Sequence, residues 1–222
     1  MAGIDHTYES FGTAFPDGRV TTCLARETRG RGEGFWEKLV AGRAADVSFV
    51  LNDLTGAHPA WPGAALIDPS RIAMAGHSAG GAAAIAALLA DSRIRAGIDM
   101  DGSTCAPIPD AGLVRPFLFL GKQSNYTSFT DLALLADQVG IDTGAALPGA
   151  RSLDITRAYV RAFFDQHLRS KPPALLDQPS PRYPEVTFCS PEAGTPPVAH
   201  QPEPEHAAPR AGRKISGRTR PE

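Results

Sequence analysis

Gly76-His77-Ser78-Ala79-Gly80 decides how this chain is read. It stands between an apolar run, Arg71-Ile72-Ala73-Met74-Ala75, and a small-residue stretch, Gly81 to Ala90, so a strand, Gly-x-Ser-x-Gly and a helix follow one another. That succession is a nucleophile elbow. The residue types follow from the chemistry. A serine between strand and helix takes a strained backbone path, and glycine two positions to either side leaves room for it. Ser78 then stands clear of the sheet at a helix N-terminus, where the dipole favours an oxyanion forming beside it. The same letters also fit a glycine-rich turn that holds an ordinary serine.

Working outward, 222 residues of which 42% are hydrophobic suffice for one sizeable domain with a core. A net charge of -2 gives no sign of a nucleic-acid partner. Cys23, Cys105 and Cys189 are odd in number and widely spaced, which suggests neither a disulfide framework nor a zinc site. No stretch is long and apolar enough to span a membrane, and the N-terminus lacks the basic-then-apolar layout of a signal peptide. A cytoplasmic location is expected for the chain as written, although a signal peptide could have been lost with missing upstream residues.

Upstream of the elbow, Ala2-Gly3-Ile4 followed by Asp5 to Ser10 reads as the end of a strand and its loop. Phe15-Pro16-Asp17-Gly18 carries a turn signal between two extended runs, hence a hairpin. His6 beside Asp5 reads as a satisfied loop histidine. From Glu33 to Leu54, apolar residues recur at helical spacing, giving one long helix or two with a break near Gly42, with Phe35 and Trp36 in the core. A loop over 56–63 holds His58, which is expected to face solvent.

Downstream, Ile94 to Met100 reads as the next strand, ending in Asp99-Met100-Asp101-Gly102. Carboxylates there lie on the sheet edge where ligands bind in open α/β folds. Asp101, before a glycine turn, is the better candidate to orient a catalytic histidine; Asp99 is the runner-up. Arg115 to Leu120 is a further short strand, after which a parallel sheet needs a crossover that the sequence does not provide. A loop opens a helix through Val139, and a final helix over about Leu153 to Leu168 carries Ile155, Tyr159 and Phe163 on one side. His167 is expected as a cation near that helix's C-terminus. Residues 1–188 thus form one α/β domain, and 189–222 a proline-rich polar tail expected to be disordered.

Asp68 to Gly81, Arg93 to Gly102, Asp5 to Glu9 with Phe15 to Gly18, and Ser128-Phe129-Thr130-Asp131 together resemble the platelet-activating-factor acetylhydrolase family of α/β-hydrolases, in its bacterial branch. The resemblance implies an α/β-hydrolase fold, a mostly parallel sheet with flanking helices, here apparently truncated at the N-terminus and internally. It implies hydrolysis of short acyl esters, with Ser78 as nucleophile, Asp101 as the acid of the triad, and no metal or cofactor. It leaves the Ala79 backbone N–H as the oxyanion donor, because the family's His-Gly-type loop would precede this chain. The family's histidine falls at Tyr126, or at Asn125 when counted from the Tyr-Thr pair, and neither is a base. Three readings follow: a serine ester hydrolase of the acetylhydrolase type, weakened in turnover; a broader lipase or cutinase-like polyesterase; or a non-catalytic remnant of the fold.

Overall fold

A computed structural model of the protein describes residues 1–24, 34–121, 129–172 and 175–189. Met1–Phe188 form one compact unit and Cys189–Glu222 another, of which Cys189 alone is described. The expected disorder of 190–222 therefore lies outside the described residues.

The first unit opens with a hairpin, β1 (Gly12–Ala14) and β2 (Val20–Thr22), paired antiparallel. The hairpin expected there is present, and Gly18 in its turn takes φ 82, a left-handed conformation open to glycine. Residues 1–6, expected to end a strand, pair with none; Ile4 instead packs against the helical core described next.

Helix α1 (Phe35–Thr55) runs through Gly42 without a break. Its buried stripe is Val40, Ala44 and Val47, at the spacing of one helical face. Trp36 and Phe49 are exposed and Phe35 is half-buried, so the α1 aromatics sit at the rim rather than in the core.

Three parallel strands form the central sheet in the order β3 (Ile72–His77), β4 (Ile94–Met100) and β5 (Phe117–Leu120). Helix α2 (Ala79–Ala90) links β3 to β4, and its small residues let it lie close on the sheet, with Ala82 to Ile85, Ala87 and Leu88 buried. Alternation along the strands divides the core. Ile72 and Met74 face α1 and α2, whereas Ala73, Ala96, Ile98 and Met100 face the last helix, α4 (Gly149–Arg169). Helix α4 buries Ile155, Tyr159 and Phe163, at i, i+4 and i+8; each fully buried large side chain contributes about 1.5–3 kcal/mol. Helix α3 (Asp131–Gln138) starts at Thr130, whose hydroxyl accepts the Leu132 N–H.

Candidate active site

The register of the sheet brings the candidate residues to one level. His77 of β3 pairs with Met100 of β4, and Met100 with Leu120 of β5. Ser78 and Asp101 each follow the last of these residues on adjacent parallel strands, which run about 4.8 Å apart. Two backbone bonds fix the edge: Ser78 N–H donates to Met100 O at 2.9 Å, and Asp101 N–H to Leu120 O at 2.8 Å.

At Ser78 the chain turns from strand to helix with φ 54 and ψ −124, a region that residues bearing a Cβ rarely adopt. The residue is half-buried and precedes α2, and its carbonyl accepts the Ala82 N–H at 3.0 Å. Ala79 is the first residue of α2, and the first N–H groups of a helix find no partner within it. Asp101 is also left-handed, at φ 58, and half-buried.

Of the flanking glycines, the structure requires one that the motif names and one that it does not. A Cβ on Gly76 would overlap the Gly80 carbonyl and come within 2.6 Å of the Gly81 nitrogen. At Gly80, however, the nearest atom to a Cβ is Arg43 Nη1 at 4.0 Å, so an alanine fits there. The second tight position is Gly81, where a Cβ would run into the carboxylate of Asp99.

Asp99 lies within β4 and is 1% exposed. Its Oδ1 accepts the Gly102 N–H at 2.8 Å, while Oδ2 is buried without a hydrogen-bond partner. Burial pushes the carboxyl up to about 6, opposed by the Gly102 bond and reinforced by the charge of Asp101. Cys105, half-buried six residues further on, is raised as well, by burial first and then by Glu37 and Asp99.

The histidines are dispersed. His77 packs its ring against Phe129, centroids 5.9 Å apart. His6 Nδ1 lies 2.7 Å from Asp46 Oδ2, so the loop histidine is satisfied from α1. His58 is exposed. His167 stacks on Phe163 with centroids 4.6 Å apart, and burial lowers its pKa; it is held toward the neutral form, not as the helix-end cation expected. Asn125 and Tyr126, the two positions where the resemblance puts a histidine, lie outside the described residues. Among the described residues no cluster of three or more potential metal ligands occurs, and no helix is long and apolar enough to cross a membrane.

Residues 64–137, which take in both Ser78 and Asp101, match the family described as platelet-activating factor acetylhydrolase, isoform II. A probable 1-alkyl-2-acetylglycerophosphocholine esterase from Arthroderma benhamiae is 28% identical over 202 residues, covering 69% of this chain and 49% of the relative. Over these residues the chain is similar to the platelet-activating factor acetylhydrolases, a family of the α/β-hydrolase superfamily. A solved ferulic acid esterase from Streptomyces cinnamoneus superposes with a TM-score of 0.71 at 32% identity, covering 84% of this acetylhydrolase-like chain and 64% of the esterase. The chain thus spans about half the length of the curated relative and just under two thirds of the solved one.

Proposed function

We propose that this chain is a serine carboxylic-ester hydrolase of the acetylhydrolase type, acting on short acyl esters through an acyl-enzyme on Ser78, with slow turnover. The backbone of Ser78 carries this reading. A non-glycine residue in that conformation costs about 1–3 kcal/mol and persists where its surroundings over-determine it, most often at functional sites. Here it puts a hydroxyl at the C-terminal edge of a parallel sheet and at the start of a helix. The relatives named as esterases cleave the same bond class.

In the proposed reaction the Ser78 oxygen attacks the ester carbonyl carbon while its proton passes to a base. The carbonyl π pair moves onto oxygen, and the oxyanion is held by the Ala79 N–H. Collapse expels the alcohol, which takes up the proton, and water then repeats the sequence on the acyl-enzyme, releasing the acid. Asp101, level with Ser78 on the next strand, would orient the base and balance its charge. The weak member is the base itself, since neither Asn125 nor Tyr126 accepts a proton at neutral pH. Loss of a triad member typically costs on the order of 10⁴ to 10⁶ in turnover.

The ferulic acid esterase likeness favours a second reading, in which the same serine serves a bulkier aromatic acyl group. Hydrolysis of p-nitrophenyl acetate and of a ferulate ester by the full chain, by Ser78→Ala, and by Tyr126→His and Asn125→His tests both readings. Slow Ser78-dependent turnover is expected, raised by roughly 10²-fold or more in one of the histidine variants. Equal rates with and without Ser78 in all backgrounds would overturn the enzyme reading, and preference for the ferulate would transfer the substrate class.

A further inference from the structure

The feature of the site edge that the proposed chemistry leaves unused is Asp99. A carboxylate 1% exposed, with one oxygen unpartnered, is an expensive thing to keep inside a β-strand. What surrounds it explains its place. Toward α2 it fills the space above Gly81, where a Cβ would overlap it; toward the following loop it fills the space beside Gly102, where a Cβ would meet both Asp99 and, at 2.5 Å, the carbonyl oxygen of Ser78. Its one hydrogen bond, from the Gly102 N–H, spans the residue that turns left-handed, Asp101. The carboxylate is therefore wedged between the first turn of α2 and the turn that carries Asp101, with the Ser78 carbonyl on the other side of Gly102.

We propose that Asp99 is a positioning residue, holding the Asp101 turn in register with the Ser78 turn through the Gly102 N–H. Asp101, in the left-handed region, is tied to β5 by its N–H bond to the Leu120 carbonyl, and the Asp99–Gly102 bond closes the turn from inside. Removing the carboxylate frees Gly102 and lets Asp101 drift from the level of Ser78. A displacement of about 1 Å at such a site is worth up to 10²-fold in rate. The groups that face Asp99 or its immediate neighbours are Asp101 and the Cys105 thiol in the loop, with Glu37 of α1 acting on that thiol, His77 on β3, and Arg43 of α1 beside Gly80. Burial raises the pKa of Asp99, in keeping with this sealed setting.

The catalytic consequence rests on the Ser78 reading, but the positioning itself is measurable without turnover. Hydrogen exchange of the Gly102 amide is compared in the full chain, Asp99→Ala and Asp99→Asn, with the β4 and α2 amides as reference. The Gly102 amide is expected to exchange roughly 10-fold or more faster in Asp99→Ala while the reference amides stay protected, and to recover in Asp99→Asn, whose side-chain oxygen accepts the same bond. Unchanged Gly102 exchange in Asp99→Ala, or equal acceleration of every amide, overturns the proposal. In the Tyr126→His or Asn125→His background, p-nitrophenyl acetate kinetics should show kcat lowered about 10- to 100-fold by Asp99→Ala with KM little changed, and rescue by Asp99→Asn. A loss confined to KM also overturns it. Local acceleration at Gly102 in a chain with no Ser78-dependent turnover supports the positioning and removes the esterase reading alone.

Discussion

The two ends of β4 each hold a buried aspartate, and they are built in opposite ways. At the N-terminal end, Asp91 is saturated: its oxygens accept from Arg93 N–H at 3.0 Å, Arg93 Nε at 2.9 Å, Arg93 Nη2 at 2.6 Å and Ser48 Oγ at 2.9 Å. The Arg93 bonds hold its carboxyl far below the usual range. Arg115 closes the same end by donating to the carbonyls of Leu88, Asp91 and Ile94. At the C-terminal end, Asp99 has one bond and an orphaned oxygen, and the two residues beyond the last strand pairs, Ser78 and Asp101, both have positive φ. One end of the sheet satisfies its polar groups and holds the fold; the other leaves them strained and poised. In open parallel sheets the second kind of end is where ligands bind.

The largest effect that sharpens this contrast is steric. Gly81→Ala forces a methyl group into the Asp99 carboxylate and toward the Gly76 carbonyl at 3.0 Å, and is expected to destabilise by about 3 kcal/mol or more. Gly80→Ala meets nothing closer than 4.0 Å and should change stability by less than about 1 kcal/mol, in the stabilising direction by helix propensity. Urea unfolding of the two variants checks both, and equal costs would mean that the two positions are equally confined and the contrast between them is wrong.

Next in size is Asp91→Ala, which takes the carboxylate partner from the Arg93 guanidinium and the Ser48 hydroxyl, at an expected cost of about 2–4 kcal/mol at neutral pH. Because the folded pKa of Asp91 is depressed, its contribution is present above the ordinary value of 3.8 and lost as pH falls below it. The difference in unfolding free energy between the parent chain and Asp91→Ala should therefore shrink on acidification.

Asp99 has the opposite sign. Its folded pKa of about 6 lies above the ordinary 3.8, so the stability of the neutral form is fully present below 3.8 and is lost as pH rises to about 6. The loss at neutral pH amounts to at most about 3 kcal/mol. Asp99→Asn keeps an acceptor for Gly102 without the charge, and is expected to match the parent near pH 4 and exceed it by up to that amount at pH 7. Unfolding curves at the two pH values decide, and a flat difference would place the two ends of β4 in the same class.

Much of this layout was legible in the sequence because it rests on local rules. The strand Ile94–Met100 is bounded by turn residues and was readable to the residue, and the Ser78 turn followed from glycines set between an apolar run and a small-residue helix. The roles of Asp99 and Asp101 were harder to separate. Two residues apart in a strand, they share a face by alternation, but the left-handed turn at Asp101 takes it out of that pattern and leaves Asp99 alone under Gly81. Gly80 and Gly81 likewise differ only in what lies across from them, which no periodicity encodes. His167 misled for a readable reason: Phe163, one helical turn earlier, covers its ring, and that i, i+4 pair was in the sequence.

The smallest expected effect concerns His6, paired with a carboxylate as a catalytic histidine would be. The partner is Asp46, on the exposed side of α1, with 54% of its side chain accessible. Three residues earlier on the same helix, Arg43 bonds Glu9 at 2.8 Å through Nε and brings Nη1 near Gly80. It is thus the arginine, about 4.5 Å along the helix axis from Asp46, that lies toward the Ser78 turn, while His6 ties the N-terminal segment to α1. A pairing with so exposed a carboxylate contributes about 0–1 kcal/mol. His6→Gln is therefore expected to lower unfolding free energy by less than about 1 kcal/mol and to leave Ser78-dependent p-nitrophenyl acetate hydrolysis within about twofold. If hydrolysis instead falls to the Ser78→Ala background while stability holds, then the His6–Asp46 pair is the base that serves Ser78, the slow turnover proposed for the chain is wrong, and the saturated and strained regions of the molecule are joined through α1.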